Sequence, residues 1–153
     1  DDLVSARFEA EVIVRAATEA DLPGIHRIHS AAVLETTATW DEVPWSWEER
    51  LAWWHEHQED RTTPVFVAEC EGEVAGFSYL SWYRPKIGYR FTREDTVYVD
   101  PRYHRRGIGL LLVGRVVEAA AQIVKTVEPK LLPLPNTARA LPPCPREAAL
   151  ALA

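Results

Sequence analysis

Methionine is absent from this chain of 153 residues, and only two cysteines occur, Cys70 and Cys144. Two thiols so far apart supply neither a disulfide scaffold nor a four-ligand zinc site, so reduced thiols are expected. No run of branched aliphatic residues is longer than Leu110 to Val113. A membrane-spanning helix needs roughly 20 apolar residues, so no membrane partner is expected. The first residues, Asp1-Asp2-Leu3, are acidic where an export signal is basic, which points to a soluble, cytoplasmic protein. Positive charge is in deficit: 17 Lys and Arg against 23 Asp and Glu leave a net charge of −6. Phosphate neutralisation along a nucleic acid needs the opposite balance, so no nucleic-acid partner is expected.

What is present, 47% hydrophobic and 26% charged residues, suits one globular domain with one core. The composition changes near residue 125. Glycine is missing after Gly114 and aromatic residues after Tyr103, while six of the eleven prolines lie between Pro129 and Pro145. Proline removes backbone donors and breaks helices, so an irregular tail over 125–153 is expected, with at most a short helix over Arg146 to Leu152. Residues 1–10 read as an extension and 11–124 as the domain.

Within 11–124 the hydrophobic period alternates between two and 3.6 residues. Glu11 to Arg15 predicts a strand. Thr18 and Asp21 resemble a capping box opening a helix with Leu22, Ile25, Ile28, Ala32 and Val33 on one face. Ser46 and Glu49 repeat that pattern before a second helix running to about Glu59, with Trp53 and Trp54 inward and Pro64 as its stop. Val65 to Glu69 and Val74 to Trp82 predict a hairpin joined by Cys70-Glu71-Gly72-Glu73. Arg93 to Asp100 predicts a further strand, and Gly107 to about Val124 an amphipathic helix. The order β-α-α-β-β-β-α indicates an α/β (α+β) fold, a sheet with covering helices.

Between Arg84 and Arg115 the charge balance reverses, with eight basic residues against Glu94, Asp95 and Asp100. A positive field in an acidic protein suits a small anionic ligand. The strand Val97-Tyr98-Val99 leads through His104-Arg105-Arg106-Gly107-Ile108-Gly109 into the last helix. Glycines allow close backbone approach, and free N–H groups at a helix start favour a phosphate. The Lys-Ser/Thr pair of a Walker loop and the third glycine of a dinucleotide fingerprint are both missing. Taken alone, those six residues suit an ordinary surface turn as well as a pyrophosphate.

The segment Val97 to Leu112 resembles motif A of the GNAT-type N-acetyltransferase superfamily, with His104 at the position usually held by Gln or Arg. Val14 to Pro23, Val67-Ala68-Glu69, Gly72 to Gly76 and Tyr89 to Val99 resemble the phosphinothricin N-acetyltransferase branch. The resemblance covers about residues 13 to 121. It implies a GNAT-like mixed, mostly antiparallel sheet flanked by helices and acetyl-CoA as co-substrate; the residues themselves give no metal set, so no metal is expected. The pantetheine arm would pair along Val97, Tyr98 and Val99, and the pyrophosphate would lie against His104, Arg105, Arg106, Gly107, Ile108 and Gly109. It also implies a small amino-acid-like amine as acceptor, with Glu94 as the base that takes its proton.

By the residues alone, Glu94 reads rather as a surface carboxylate paired with Arg90 or Arg93, the commoner fate of a strand glutamate, and Asp95 is the reserve candidate for the base. Arg84, Lys86, Tyr89 and Arg90 could meet an acidic group on the acceptor, and Trp40 and Trp45 could touch it. His26 with His29, and His55 with His57, lack the further ligands of a metal set. A complete domain of that family continues with further strands and an aromatic turn, none of them readable after Val124. The expectation is a fragment whose C-terminal strands are missing. A non-catalytic remnant that binds CoA or a partner is the alternative, and a homodimer is admitted.

Overall fold

The computed structural model describes residues 11–127, with side chains to residue 124. The expected tail and its short helix fall outside the described residues. Seven regular elements follow the expected order: β1 (Val12–Ala16), α1 (Leu22–Glu35), α2 (Trp47–Glu59), β2 (Val65–Cys70), β3 (Glu73–Trp82), β4 (Arg93–Val99) and α3 (Ile108–Val127). Short 3-10 turns precede α1, interrupt the β3–β4 loop at Ile87–Tyr89 and follow β4 at Pro101–Tyr103. Among the described residues no helix is long and apolar enough to cross a membrane.

Local chemistry accounts for most boundaries. Thr18 N–H donates to Asp21 Oδ2 at 2.8 Å, which forms the turn that delivers the chain into α1. Ser46 N–H donates to Glu49 Oε2 at 2.7 Å and Glu49 N–H to Ser46 Oγ at 3.2 Å, a complete capping box for α2. Pro64 is not what stops α2: the helix ends at Glu59, and Asp60 turns the chain by accepting from Thr62 N–H and Oγ1. In the β2–β3 hairpin Glu71 and Gly72 have φ of 54° and 80°, the pair of positive values that a two-residue turn with the strands' own twist requires.

The sheet order is β1-β2-β3-β4, and every neighbouring pair is antiparallel. Parallel pairing expected of a mixed sheet therefore does not occur among the described residues. One face carries α1 and α2 on Val65, Val67 and Phe77, with Tyr79 and Tyr98 at the margin. The other carries α3 through Ile108, Leu112 and Val116 on Phe66, Ala68, Ala75 and Leu80. A register shift between Ala68 and Glu69 leaves Ala75 as an extra residue in β3. It lets α3 settle over Gly76, where a Cβ would stand 2.8 Å from Tyr98 O and 3.0 Å from Leu112 Cδ1.

Candidate active site

β4 is the outer strand beside β3, so one of its long sides is unpaired among the described residues. Asp100 N–H donates to Ala75 O at 2.9 Å, which sets the antiparallel alternation. The N–H and C=O groups of Val97 and Val99 consequently face the open side, next to a hollow of about 180 Å³ lined by Ile28, Ala32, Val97, Tyr98 and His104. The His104 ring occupies one of these groups: its Nε2 lies 2.9 Å from Val99 O. His104 is thus bound to the strand edge.

At the end of β4 the buried Asp100 accepts from Arg102 N–H (2.9 Å) and Nη2 (2.9 Å) and from Arg27 Nη1. Arg27 also reaches Val74 O and Arg102 reaches Glu73, so this carboxylate ties α1 and the hairpin to the strand's exit. Burial opposes its ionisation, yet the hydrogen bonds from Arg102 and Arg27 hold its pKa well below the usual carboxylate range. The turn continues through Arg105 and Gly107, with φ of 66° and 80°. Leu111 N–H donates to Gly107 O, so the N–H groups of Ile108, Gly109 and Leu110 have no acceptor within the helix. Space is open beside Gly107, where an added Cβ would meet nothing within 4 Å. Ile108 contributes only its backbone, since its side chain is buried core.

Glu94 shares a groove of about 430 Å³ with Thr39, Trp40, Asp41, Thr96 and Tyr98. Trp40 stands fully exposed on the α1–α2 connection, and Trp45 packs partly buried behind it. Neither Arg90 nor Arg93 pairs with Glu94. Arg93 binds Thr62 and lies 3.6 Å from the Trp82 ring centroid, while Arg90 covers Phe91 at 4.4 Å. Arg90 and Asp95 line an apolar groove with Leu80 and Val116, on the α3 side of the sheet. Arg90 is therefore not assembled with the Glu94 groove. Arg84 and Lys86 are exposed in the β3–β4 loop, Arg84 over Tyr83, whose ring meets Tyr89 edge-on.

Sequence reasoning missed one buried residue of α2. Arg50 of α2 is 1% exposed, and its guanidinium carbon sits 4.4 Å from the Trp45 and 4.8 Å from the Trp53 ring centroid. Burial pushes its pKa down to about 10, which leaves it charged at neutral pH. The available signal was a charged residue at Arg50, three positions before Trp53, on a helix's apolar stripe. Buried His29, edge-on to Trp45 and Tyr98, has Nε2 3.4 Å from Asp41 Oδ2.

Burial, then the charge of Arg50, lowers the His29 pKa, and burial lowers that of His57. Each folded value lies below the unfolded value of about 6.5, so the folded state binds fewer protons. That stabilisation is complete above pH ~6.5 and lost as pH falls through the folded values. The depressed carboxyls Asp21 and Asp100 contribute above pH ~4 and lose their contribution only in stronger acid. Urea midpoints measured from pH 8 to 3 are expected to decline in two stages, the first below pH ~6.5. A midpoint constant between pH 7 and 4.5 contradicts the buried neutral histidines.

Residues 25–130 match the model of the acetyltransferase (GNAT) family. The chain belongs to this family. It is similar to the L-methionine sulfoximine/L-methionine sulfone acetyltransferase of Salmonella typhimurium, 35% identical over 114 residues covering 74% of this chain and 66% of that protein. The phosphinothricin N-acetyltransferase of Streptomyces coelicolor is 40% identical over 114 residues, 73% of this chain and 67% of that one. A GNAT phosphinothricin acetyltransferase structure from Sinorhizobium meliloti, in complex with AcCoA, superposes with a TM-score of 0.69 at 33% identity over 72% of this chain and 60% of that one. The chain spans about two thirds of the length of the curated relatives it matches.

The GNAT chain's own residues suit the ligand of that neighbour. Three unsatisfied amides at the start of α3, open space at Gly107 and the exposed Arg105 and Arg106 fit a diphosphate. The outward amides of Val97 and Val99 fit the peptide-like arm of a CoA thioester.

Proposed function

We propose that this protein transfers the acetyl group of acetyl-CoA to the primary amine of a small amino-acid-like acceptor, of phosphinothricin or methionine-sulfone type. The observation that carries this reading is the continuity of one open strand edge, from the Glu94 groove at one end to the free amides of α3 at the other. Ile108, Gly109 and Leu110 hold the diphosphate through their free N–H groups, with Gly107 leaving room for it and Arg105 and Arg106 adding charge. Val97, Tyr98 and Val99 supply the strand on which the arm lies. Acetyl-CoA, when bound, supplies a thioester carbonyl open to attack by an amine.

A primary amine is largely protonated at neutral pH, and its ammonium form has no lone pair to attack with. Glu94 takes that proton at its carboxylate oxygen, directly or through one water. A strand N–H directed at the thioester oxygen stabilises the charge that develops there. Trp40 and the loop residues Arg84, Lys86 and Tyr89 border the acceptor's approach.

The test is thermal unfolding of the chain with and without acetyl-CoA, followed by release of free thiol with a panel of amines. Saturation to ~100 times Kd is expected to add about 2.7 kcal/mol of apparent stability. An unfolding temperature indifferent to millimolar acetyl-CoA rules out the diphosphate cradle. The His104 ring on Val99 O favours a second reading, in which CoA binds without turnover. Stabilisation by acetyl-CoA with no thiol released for any amine selects it.

A further inference from the structure

The described residues hold three buried side chains of the strongly charged types, Asp21, Asp100 and Arg50. Arg15 meets Asp21, and Arg27 and Arg102 meet Asp100. Arg50 alone has no carboxylate in ion-pair contact, and its Nε and Nη2 have no hydrogen-bond partner. A desolvated guanidinium without a counter-charge is unfavourable, and the two indole faces offset only part of that.

The two unfilled atoms form one edge of the guanidinium, the edge that receives a carboxylate side-on with two parallel hydrogen bonds. At Arg15 the same two atoms converge on one carboxylate oxygen, Glu69 Oε2, at 3.1 and 2.9 Å. Asp41, which lines the Glu94 groove, lies 3.4 Å from His29 Nε2, and the rings of His29 and Trp45 stand between it and the Arg50 guanidinium. The groove therefore has carboxylates of Asp41, Glu94 and Asp95 on its wall and an unmatched cation beyond the Trp45 ring. That distribution complements a zwitterion, with its ammonium toward Glu94 and its anionic end toward Arg50.

We propose that Arg50 recognises the carboxylate of an α-amino-acid acceptor, filling the empty Nε/Nη2 edge between Trp45 and Trp53. This rests on the acyl-transfer reading above and names the chemical class of its acceptor. Access runs past residues 36–46, which bear the exposed Trp40 and Val43 and contain no helix or strand.

The test compares two ligands with the same amine, methionine sulfone and its primary carboxamide, by calorimetry on the full chain, on Arg50→Lys and on Arg50→Gln. The unmodified chain is expected to prefer the acid by ~10- to 100-fold, the range for a charge-assisted pair of hydrogen bonds. Arg50→Gln is expected to remove the preference, and Arg50→Lys to retain part of it. Equal affinity of the unmodified chain for acid and amide overturns the proposal, as does binding of neither, or a preference that survives in Arg50→Gln. Should Arg50→Gln not fold, Arg50→Lys and the two-ligand comparison on the unmodified chain still decide. Acetyl-CoA titrated into the same samples separates the two readings: loss of that binding in the unmodified chain strikes the acyl-transfer reading, whereas loss of acid preference alone strikes only the role of Arg50.

Discussion

Glu94→Gln is expected to lower turnover at neutral pH by ~10²- to 10⁴-fold, the usual worth of a positioned general base. Glutamine keeps the size and hydrogen-bonding reach of the side chain but cannot accept the ammonium proton. Glu94 forms no hydrogen bond or ion pair with the other described residues and lies in a groove, so its replacement leaves the fold intact. Its groove and the α3 amides stand at opposite ends of the open edge, so the stabilisation by acetyl-CoA is expected to persist in the variant. Raising the pH toward the amine's own pKa supplies the free base from solution, and the deficit is expected to shrink there. A variant that retains a third of the parent turnover at pH 7 assigns the proton to another acceptor, Asp41 and Asp95 being the other carboxylates of the groove.

Asp100→Ala is expected to cost about 3 kcal/mol of stability, measured as the change in urea unfolding free energy, or roughly 10 °C in unfolding temperature. The carboxylate is 3% exposed and accepts from two arginines and a backbone amide, so its removal strands Arg102 N–H and the two guanidinium groups together. The arginine heads reach solvent, which keeps the loss at the low end for a broken buried pair. Because Asp100 fixes the exit of β4, the turn that presents Gly107 to Gly109 also loosens, and weaker acetyl-CoA binding is expected along with the lower stability. Full stability in the variant removes Asp100 as the clip between α1, the hairpin and the phosphate turn.

The elements were legible where the signal is local. The Ser46–Glu49 capping box, the Glu71-Gly72 turn and the 3.6-residue period of α3 act over a few residues, so sequence placed those boundaries to within a residue or a few. Alternation along β4 separated Glu94, Thr96 and Tyr98 from Asp95, Val97 and Val99, as the Ser81↔Glu94 and Leu80↔Asp95 pairings bear out. What failed was partner choice. Arg90 and Arg93 lie close to Glu94 in sequence, yet aromatic faces and Thr62 compete more successfully for them.

The amino-acid sequence by itself determined the order of elements, the amphipathic faces, the family and the kinds of chemistry available at the β4–α3 turn. Each depends on neighbours a few positions apart or on a pattern of residue types. Tertiary structure alone decided that His104 binds the strand edge, that Asp100 gathers Arg27 with Arg102, and that Arg50 is buried between Trp45 and Trp53 with no carboxylate in contact. These depend on how three layers stack, and a buried charge shows its lack of a partner only once packing has excluded water from around it.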